Sequence, residues 1–358
     1  MQIDPENSDV AQPSRLITRS NELRKIGEFG LIAQLNRLLG HTEDELKSLG
    51  VECGIGDDAA VLNLPFGEQM LITNDIMIEG THFIWEKIPP ASLGYKLMAI
   101  NLSDIAAMGG TPRFAVVSLG INDQLTLMDA EAIYQGMRDL TQCFHVLIVG
   151  GDTVRSPLLT LGLTLIGTVP AGKAVLRSGA QPDDILLVTG SLGKSAAGLE
   201  LIIGEASISG IARDQVLKAH YCPYPRVIEG KLLADLGWVH AMIDISDGLA
   251  SEVTHICQQS GVGAEVWEEA LPIDGDTQEI AEKLSRDPRQ WALCGGEDYE
   301  LLLTVAADRV EDTQKVLAQV GCSLTPIGRI LPASAGLRLK RSGGMVPLSM
   351  GGYNHFSP

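Results

Sequence analysis

Twenty residues, Pro90 to Gly109, read as a helix that is apolar nearly all the way round. At ~100° per residue Leu93, Leu97, Ile100 and Met108 share one arc, and Met98, Leu102 and Ile105 fill other faces. Such a helix must be covered on every side, which demands layers of structure around it. Ser92 is the expected N-cap and Gly109-Gly110 the expected stop. Asp104 falls within the apolar arc. A carboxylate on a buried helix needs a charged partner or a cation.

Asp104 is one of seven aspartates in suggestive settings. The others are Asp57 and Asp58 in Gly54–Ala60, Asp75 after Thr73-Asn74, Asp152 after Gly150-Gly151, and Asp244 and Asp247 in Asp244–Gly248. Each is expected where the chain leaves a strand or enters a helix. A strand from Gln69 to Thr73 should deliver Asn74 and Asp75 at its end, and one from Val146 to Val149 should end in Gly150-Gly151-Asp152. Carboxylates gathered together repel unless cations lie between them. Hard cations take oxygen ligands, and Mg²⁺ usually arrives with substrate phosphates. The pattern therefore points to a magnesium-dependent enzyme acting on phosphates.

Charge agrees with that reading. The formal net charge is −18, from 27 Lys and Arg against 45 Asp and Glu. This argues against nucleic acid and against anionic membranes as partners. An anionic substrate would need cations to approach. The six cysteines form no CxxC pair and are expected to be reduced, cytoplasmic thiols. No apolar run reaches a membrane-spanning length of ~18 residues.

The 358 residues suggest about two domains. Met1–Arg24 is polar and reads as a poorly ordered extension without an apolar signal core. Gly27–Leu39 is an expected helix. The remaining pattern is a first domain over 25–170 and a second over 171–358, divided in the segment Pro170–Asp184. Strands are expected at Phe114–Gly120, Leu158–Val169, Ile185–Thr189, Ala241–Ile245 and Leu301–Val305, with helices at Asp129–Cys143 and Ala196–Ile203. Alternating strands and helices in both halves place the chain in the α/β or α+β class with mixed sheets.

Other motifs carry weaker signals. Gly190–Ser195 ends like a phosphate-binding loop, but Val188 stands where the leading glycine is required, so a glycine-rich strand-to-helix turn is the better reading. Ser246 is read as the cap of a helix starting near Gly248. Alone, His82 reads as a satisfied histidine, Arg177 as a loop arginine and Lys194 as a solvated lysine. No Ser–His–Asp or Cys–His arrangement supports covalent catalysis.

Together these segments resemble the thiamine-monophosphate kinase family, in the superfamily of aminoimidazole ribonucleotide synthetase. The matching pieces run from Gly27-Glu28-Phe29 to Gly352–Phe356 and include Gly54–Ala60, Thr73–Asp75, Gly80–Phe83, Asn101–Gly109, Gly150–Thr153, Arg177–Ala180, Ser195–Leu199, Asp244–Leu249 and Gly295–Glu300. The resemblance implies ATP-dependent phosphorylation of thiamine monophosphate to thiamine diphosphate, with several Mg²⁺ ions. It implies a metal shell of Asp58, Thr73, Asn74, Asp75, Asp104, Asp152, Asp244 and Asp247, with Asp104 and Asp152 essential to turnover. It implies ATP contacts from Gly151, Asp152, Arg177 and Ser246, and thiamine monophosphate contacts from His82, Glu297 and Tyr353. It further implies a homodimer joined across the N-terminal sheets, with a C-terminal α+β domain. An aminoimidazole ribonucleotide synthetase or a non-catalytic nucleotide-binding module are the rival readings. Phosphoryl transfer to a phosphate acceptor, already ionised, requires positioning and charge neutralisation more than a strong base.

Overall fold

A computed structural model describes residues 30–53, 55, 60–204, 208–349 and 351. Residues 30–39 form α1, followed by α2 (Glu43–Ser48), β1 (Val51–Cys53), β2 (Val61–Leu62) and β3 (Glu68–Ile78). Then come α3 (Pro90–Ala107), β4 (Thr111–Ile121), α4 (Leu127–Phe144), β5 (Leu147–Arg155) and β6 (Thr160–Pro170). A second run begins with β7 (Ile185–Thr189), α5 (Lys194–Ile203), α6 (Ile211–Tyr221), α7 (Val227–Leu236), β8 (Val239–Asp244) and α8 (Leu249–Ser260). It continues through β9 (Val262–Trp267), α9 (Gly275–Leu284), α10 (Pro288–Cys294), β10 (Leu301–Val305), α11 (Val310–Ala318), β11 (Leu324–Pro332), β12 (Leu337–Arg341) and β13 (Gly344–Pro347).

The first run builds a four-stranded sheet in the order β3-β6-β4-β5. Its β4/β5 pair is parallel and the others antiparallel. The second run builds a seven-stranded sheet, β13-β12-β9-β11-β7-β10-β8, with only β12/β9 parallel. Both sheets are mixed, and helices pack on them in an α+β arrangement, as the alternation of patterns implied.

The surroundings of α3 explain its composition. It lies on β3, β4 and β6, runs beside α4, and meets α7 and β8 of the second run on its other side. Leu93, Leu97, Met98 and Leu102 are fully buried. Glycines permit these close crossings. A Cβ on Gly94 would lie 1.8 Å from the Ile133 carbonyl oxygen, and one on Gly136 1.8 Å from that of Ala91. α3 begins with Pro90 at its first turn and Pro89 as N-cap. The expected Ser92 cap is thus inside the helix; proline's fixed φ starts the helix three residues earlier.

β3 is longer than the sequence suggested, because the β-prone Ile76-Met77-Ile78 continue its ladder with β6. Asn74 and Asp75 are therefore mid-strand. Leu71 and Met77 are buried, whereas Met70, Ile72 and Ile76 on the opposite face are 50%, 61% and 51% exposed. β5 likewise runs on through Gly150-Gly151-Asp152, held by its parallel register with β4. A Cβ on Gly151 would lie 2.2 Å from the Val117 carbonyl oxygen, so glycine is required there. Ser246 is not the cap of α8; Gly248 holds that position without a side-chain cap. The chain instead uses the Ser246 carbonyl, as shown below.

Candidate active site

Thr73 and Asp75 lie two apart on β3, so both point to the face that carries α3. Thr73 Oγ1 donates to Asp104 Oδ2. One residue earlier on α3, buried Ser103 donates through Oγ to Asp244 Oδ2 at 2.7 Å. Asp244 is the last residue of β8 and is 3% exposed. Adjacent positions of one helix thus reach a strand of each sheet. That junction draws together Asp75, Asp104 and Asp244, which are 29 or more residues apart along the chain.

Their ionisation reports the crowding. Burial raises Asp75 from 3.8 to about 7, with Asp104 adding repulsion. Burial and then Asp104 raise Asp244 from 3.8 to about 8. Burial also raises Asp104, opposed by the Thr73 hydrogen bond and by Arg177. Glu252, on α8, is raised by burial to about 7 although Asp247 N–H donates to its Oε1 at 3.2 Å. Arg177 is the shared counter-charge, since it favours the ionised forms of Asp104, Asp244 and Glu252.

These carboxylates suit a cation on chemical grounds. A divalent ion beside them would offset the repulsion that holds their protons on. Among the described residues, no three His, Cys, Asp or Glu converge closely enough to hold a metal by themselves. Mg²⁺ commonly takes one or two carboxylates and completes its shell with phosphate oxygens and water. The set therefore fits a cation that arrives with a phosphate.

The raised pKa values predict a pH effect. A carboxylate whose folded pKa lies above its unfolded value adds stability at low pH, and that stability is lost as pH rises through the folded value. Asp75, Glu252 and Asp298 near 7 and Asp244 near 8 all have this sign. His220 has the opposite sign. Burial, then Lys96, lowers it from 6.5 to about 4, so its contribution is lost as pH falls through that interval. Without divalent cations, the melting temperature should fall from about pH 6.5 to about pH 8.5, where the carboxylates act alone. A thermal scan in chelator tests this; a flat or rising curve would refute the assigned crowding.

A second group surrounds Glu297. The Gly295–Glu300 loop lies over the end of β8: Glu297 N–H donates to Ser246 O at 2.7 Å and Tyr299 N–H to Ile245 O at 2.9 Å. Lys96, on α3 and 1% exposed, donates from Nζ to Glu297 Oε2 at 2.8 Å. His220 Nδ1 is 3.3 Å from the same oxygen and 3.0 Å from Ser195 Oγ. Burial would raise the Glu297 carboxyl, but Lys96, His220 and His82 together hold it below its ordinary value. His82 is thus within electrostatic reach of Glu297. His82 Nδ1 accepts from Ile78 N–H at 3.1 Å, which in the neutral ring leaves the proton on Nε2. Tyr299 is raised well above its usual range by burial, then by Glu297, Asp75, Asp244 and Asp104. Charges of both groups thus act on it.

Other expected residues lie elsewhere. Asn74 faces away from α3, with its Nδ2 on Leu163 O at 3.1 Å and Thr164 Oγ1 at 2.8 Å. Gly151 and Asp152 are exposed on β5, three strands from β3, with Asp152 in register with Ser118. Within this one chain they are not part of the Asp75–Asp104–Asp244 group. Asp57, Asp58 and Tyr353 fall outside the described residues. The Gly190–Ser195 turn does not offer a phosphate site. Asp298 accepts from Gly193 N–H at 2.7 Å and Ser195 N–H at 3.2 Å, and Lys194 pairs with Asp274 and Asp276 at 2.6 and 3.0 Å.

Lys96, Ser103, His220, Glu252 and Asp298 were not singled out from sequence. Only Lys96 left a usable signal: a lone lysine on a helix apolar all round must find a buried anion.

Comparison with known proteins assigns the fold to a family. Residues 56–169 match the family "AIR synthase related protein, N-terminal domain", and residues 181–339 match "AIR synthase related protein, C-terminal domain". Thiamine-monophosphate kinase of Bacillus subtilis (strain 168) is 39% identical over 334 residues, 92% of this chain and 99% of that protein. The chain belongs to the thiamine-monophosphate kinase family. The crystal structure of thiamine-monophosphate kinase from Stenotrophomonas maltophilia K279a superposes with a TM-score of 0.77 at 33% identity, covering 87% of this chain and 96% of that one. A structure of AaThiL complexed with AMPPCP and TMP gives a TM-score of 0.73 at 30% identity, covering 93% and 98%. Thiamine-monophosphate kinase relatives thus span both sheets and the α3 junction between them.

Proposed function

We propose that this protein transfers the γ-phosphoryl group of ATP to thiamine monophosphate, forming thiamine diphosphate and ADP. The observation that carries this reading is the α3 junction. One helix holds Asp104 against Thr73 and Ser103 against Asp244, and presents Lys96 to Glu297 on the same molecule. The first group is suited to cation-bound phosphates and the second to the organic part of the acceptor. That division matches the two ligand types named for the AaThiL complex.

Asp75, Asp104 and Asp244 would hold Mg²⁺, with Asp58 and Asp247 as further candidates. The cation would neutralise both phosphate groups and the charge spread over the transferring phosphoryl. Until phosphate and cation enter, crowding favours the protonated carboxyls; a bound cation would favour their ionised, ligating form. Arg177 limits the repulsion and is placed to meet ATP oxygens. The acceptor phosphate is itself the nucleophile, so transfer is direct and in line, without a phosphoenzyme. His82, Glu297 and Tyr353 are the proposed acceptor contacts, and Gly151, Asp152 and Ser246 the further ATP contacts. We place the division between the domains near residue 170 and the enzyme in the cytoplasm.

Asp152 supports a homodimer. It lies on the strand farthest from β3, ~14 Å away at ~4.8 Å per strand, on the face opposite α3. It would join the Asp104 group of a second copy, whose exposed Met70, Ile72 and Ile76 face supplies an apolar contact. Asp104→Asn and Asp152→Asn variants, each inactive alone, should regain activity when mixed and refolded. One intact site in half of the dimers gives about a quarter of wild-type activity. No recovery from fully mixed dimers would place both residues in one chain's site.

The activity itself is tested by ADP release with thiamine monophosphate, with and without Mg²⁺, and by product analysis. Thiamine diphosphate should form only with the cation. Turnover on formylglycinamidine ribonucleotide but not thiamine monophosphate would overturn the assignment, as would ATP binding with no turnover on either.

A further inference from the structure

We infer that Lys96, assisted by His220, is a positioning residue for Glu297 and ties acceptor recognition to the helix that carries Asp104. The inference rests on the proposed role of Glu297 in holding thiamine monophosphate.

Lys96 is the most deeply buried cation of the site, 1% exposed, on a helix packed mostly among apolar side chains. Its ammonium crosses from the first run of the chain to the second, meeting Glu297 Oε2 at 2.8 Å. Lys96 and Asp104 are eight residues apart on one rigid helix, ~12 Å along its axis. The two ends of an extended phosphorylated acceptor would therefore be gauged against a single element.

The Glu297 loop is built to hold one conformation. Glu297 and Tyr299 have φ of 66° and 51°, a left-handed region that side chains other than glycine and asparagine rarely adopt. Such strain persists only where the surroundings over-determine it. Here the determinants are the backbone bonds to Ser246 and Ile245, and the Lys96 and His220 contacts on the side chain. Among the described residues, both side-chain contacts fall on Oε2. Oε1 keeps lone pairs for a ligand donor, such as the amino group of an aminopyrimidine, and the carboxylate faces its choice with its charge already balanced. Burial keeps His220 neutral, so the cluster holds one cation and one anion. A pre-balanced carboxylate selects a directed hydrogen bond over any passing cation. Without Lys96, Glu297 would lose the partner that keeps it ionised and in place.

Steady-state kinetics of Lys96→Met, Lys96→Arg, His220→Gln, Glu297→Gln and the Lys96→Met/Glu297→Gln double variant test this. Lys96→Met should raise KM for thiamine monophosphate roughly tenfold, with KM for ATP within about twofold. Its activity should also fall more steeply below neutral pH than wild type, as the unbalanced carboxylate takes a proton. Lys96→Arg should recover part of the loss, and His220→Gln should show a smaller shift in the same KM. The double variant should match Glu297→Gln alone, because Lys96 acts through that carboxylate. That comparison also carries the test if Lys96→Met does not fold. Equal changes in both KM values, or additive losses in the double variant, would overturn the inference. Wild-type protein that releases no ADP with thiamine monophosphate would instead overturn the proposed activity.

Discussion

Asp104→Asn should lower kcat by about 10²–10³-fold while leaving the cation-free protein at least as stable as wild type. The two effects have one cause. Asp104 is the neighbour that adds repulsion to both Asp75 and Asp244. Removing its charge relieves both in the empty site and removes the charge that would hold the phosphate-bound cation. Asparagine keeps an oxygen to accept from Thr73, so the packing of β3 on α3 should persist. ADP release gives kcat, and a thermal scan in chelator gives stability. Activity within about twofold of wild type would remove Asp104 from the proposed metal shell. Lost activity together with a large drop in melting temperature would assign it a structural role instead.

Withdrawing the divalent cation should abolish both turnover and the stabilisation of the protein by ATP. A ligand at ~100 times its dissociation constant adds ~2.7 kcal/mol to the folded state, and MgATP should give a rise in melting temperature of that origin. ATP with chelator should give almost none. The chain carries a net charge of −18, and the Asp75–Asp104–Asp244 group would repel the triphosphate. Arg177 alone is a single counter-charge to several carboxylates. Equal stabilisation by ATP in chelator would contradict a cation bridge between these carboxylates and phosphate.

Local patterns were legible wherever one physical rule dominated. The strands Ile185–Thr189 and Leu301–Val305 are continuous apolar runs bounded by turn residues, and the structure reproduces those limits. The burial of α3 followed from apolar residues on all its faces. Boundaries were misplaced where pairing overrode local signals. Asn74-Asp75 is itself a turn-like pair and Asp152 follows two glycines, yet β6 and β4 supply ladders that carry β3 and β5 past them. Ser92 and Ser246 have the chemistry of caps, but Pro90 and Gly248 occupy the backbone positions that begin those helices.

The sequence by itself determined the mixed α+β class and the burial of α3, and it marked the aspartates as candidates for phosphate chemistry, because periodicity and charge are local properties. It did not determine which aspartates meet. Asp75 and Asp104 converge because β3 packs under α3, and Asp244 joins them because β8 of the other sheet packs against the same helix. Nothing local distinguishes Asp75 from Asn74 beside it, yet their side chains point to opposite faces of β3. Lys96 and Glu297 are 201 residues apart, and their ion pair exists only because α3 is buried between the two sheets. Lys96 is almost wholly shielded from water, so its charge is unfavourable there without a matching anion, and the fold selects the pairing that the linear chain cannot express.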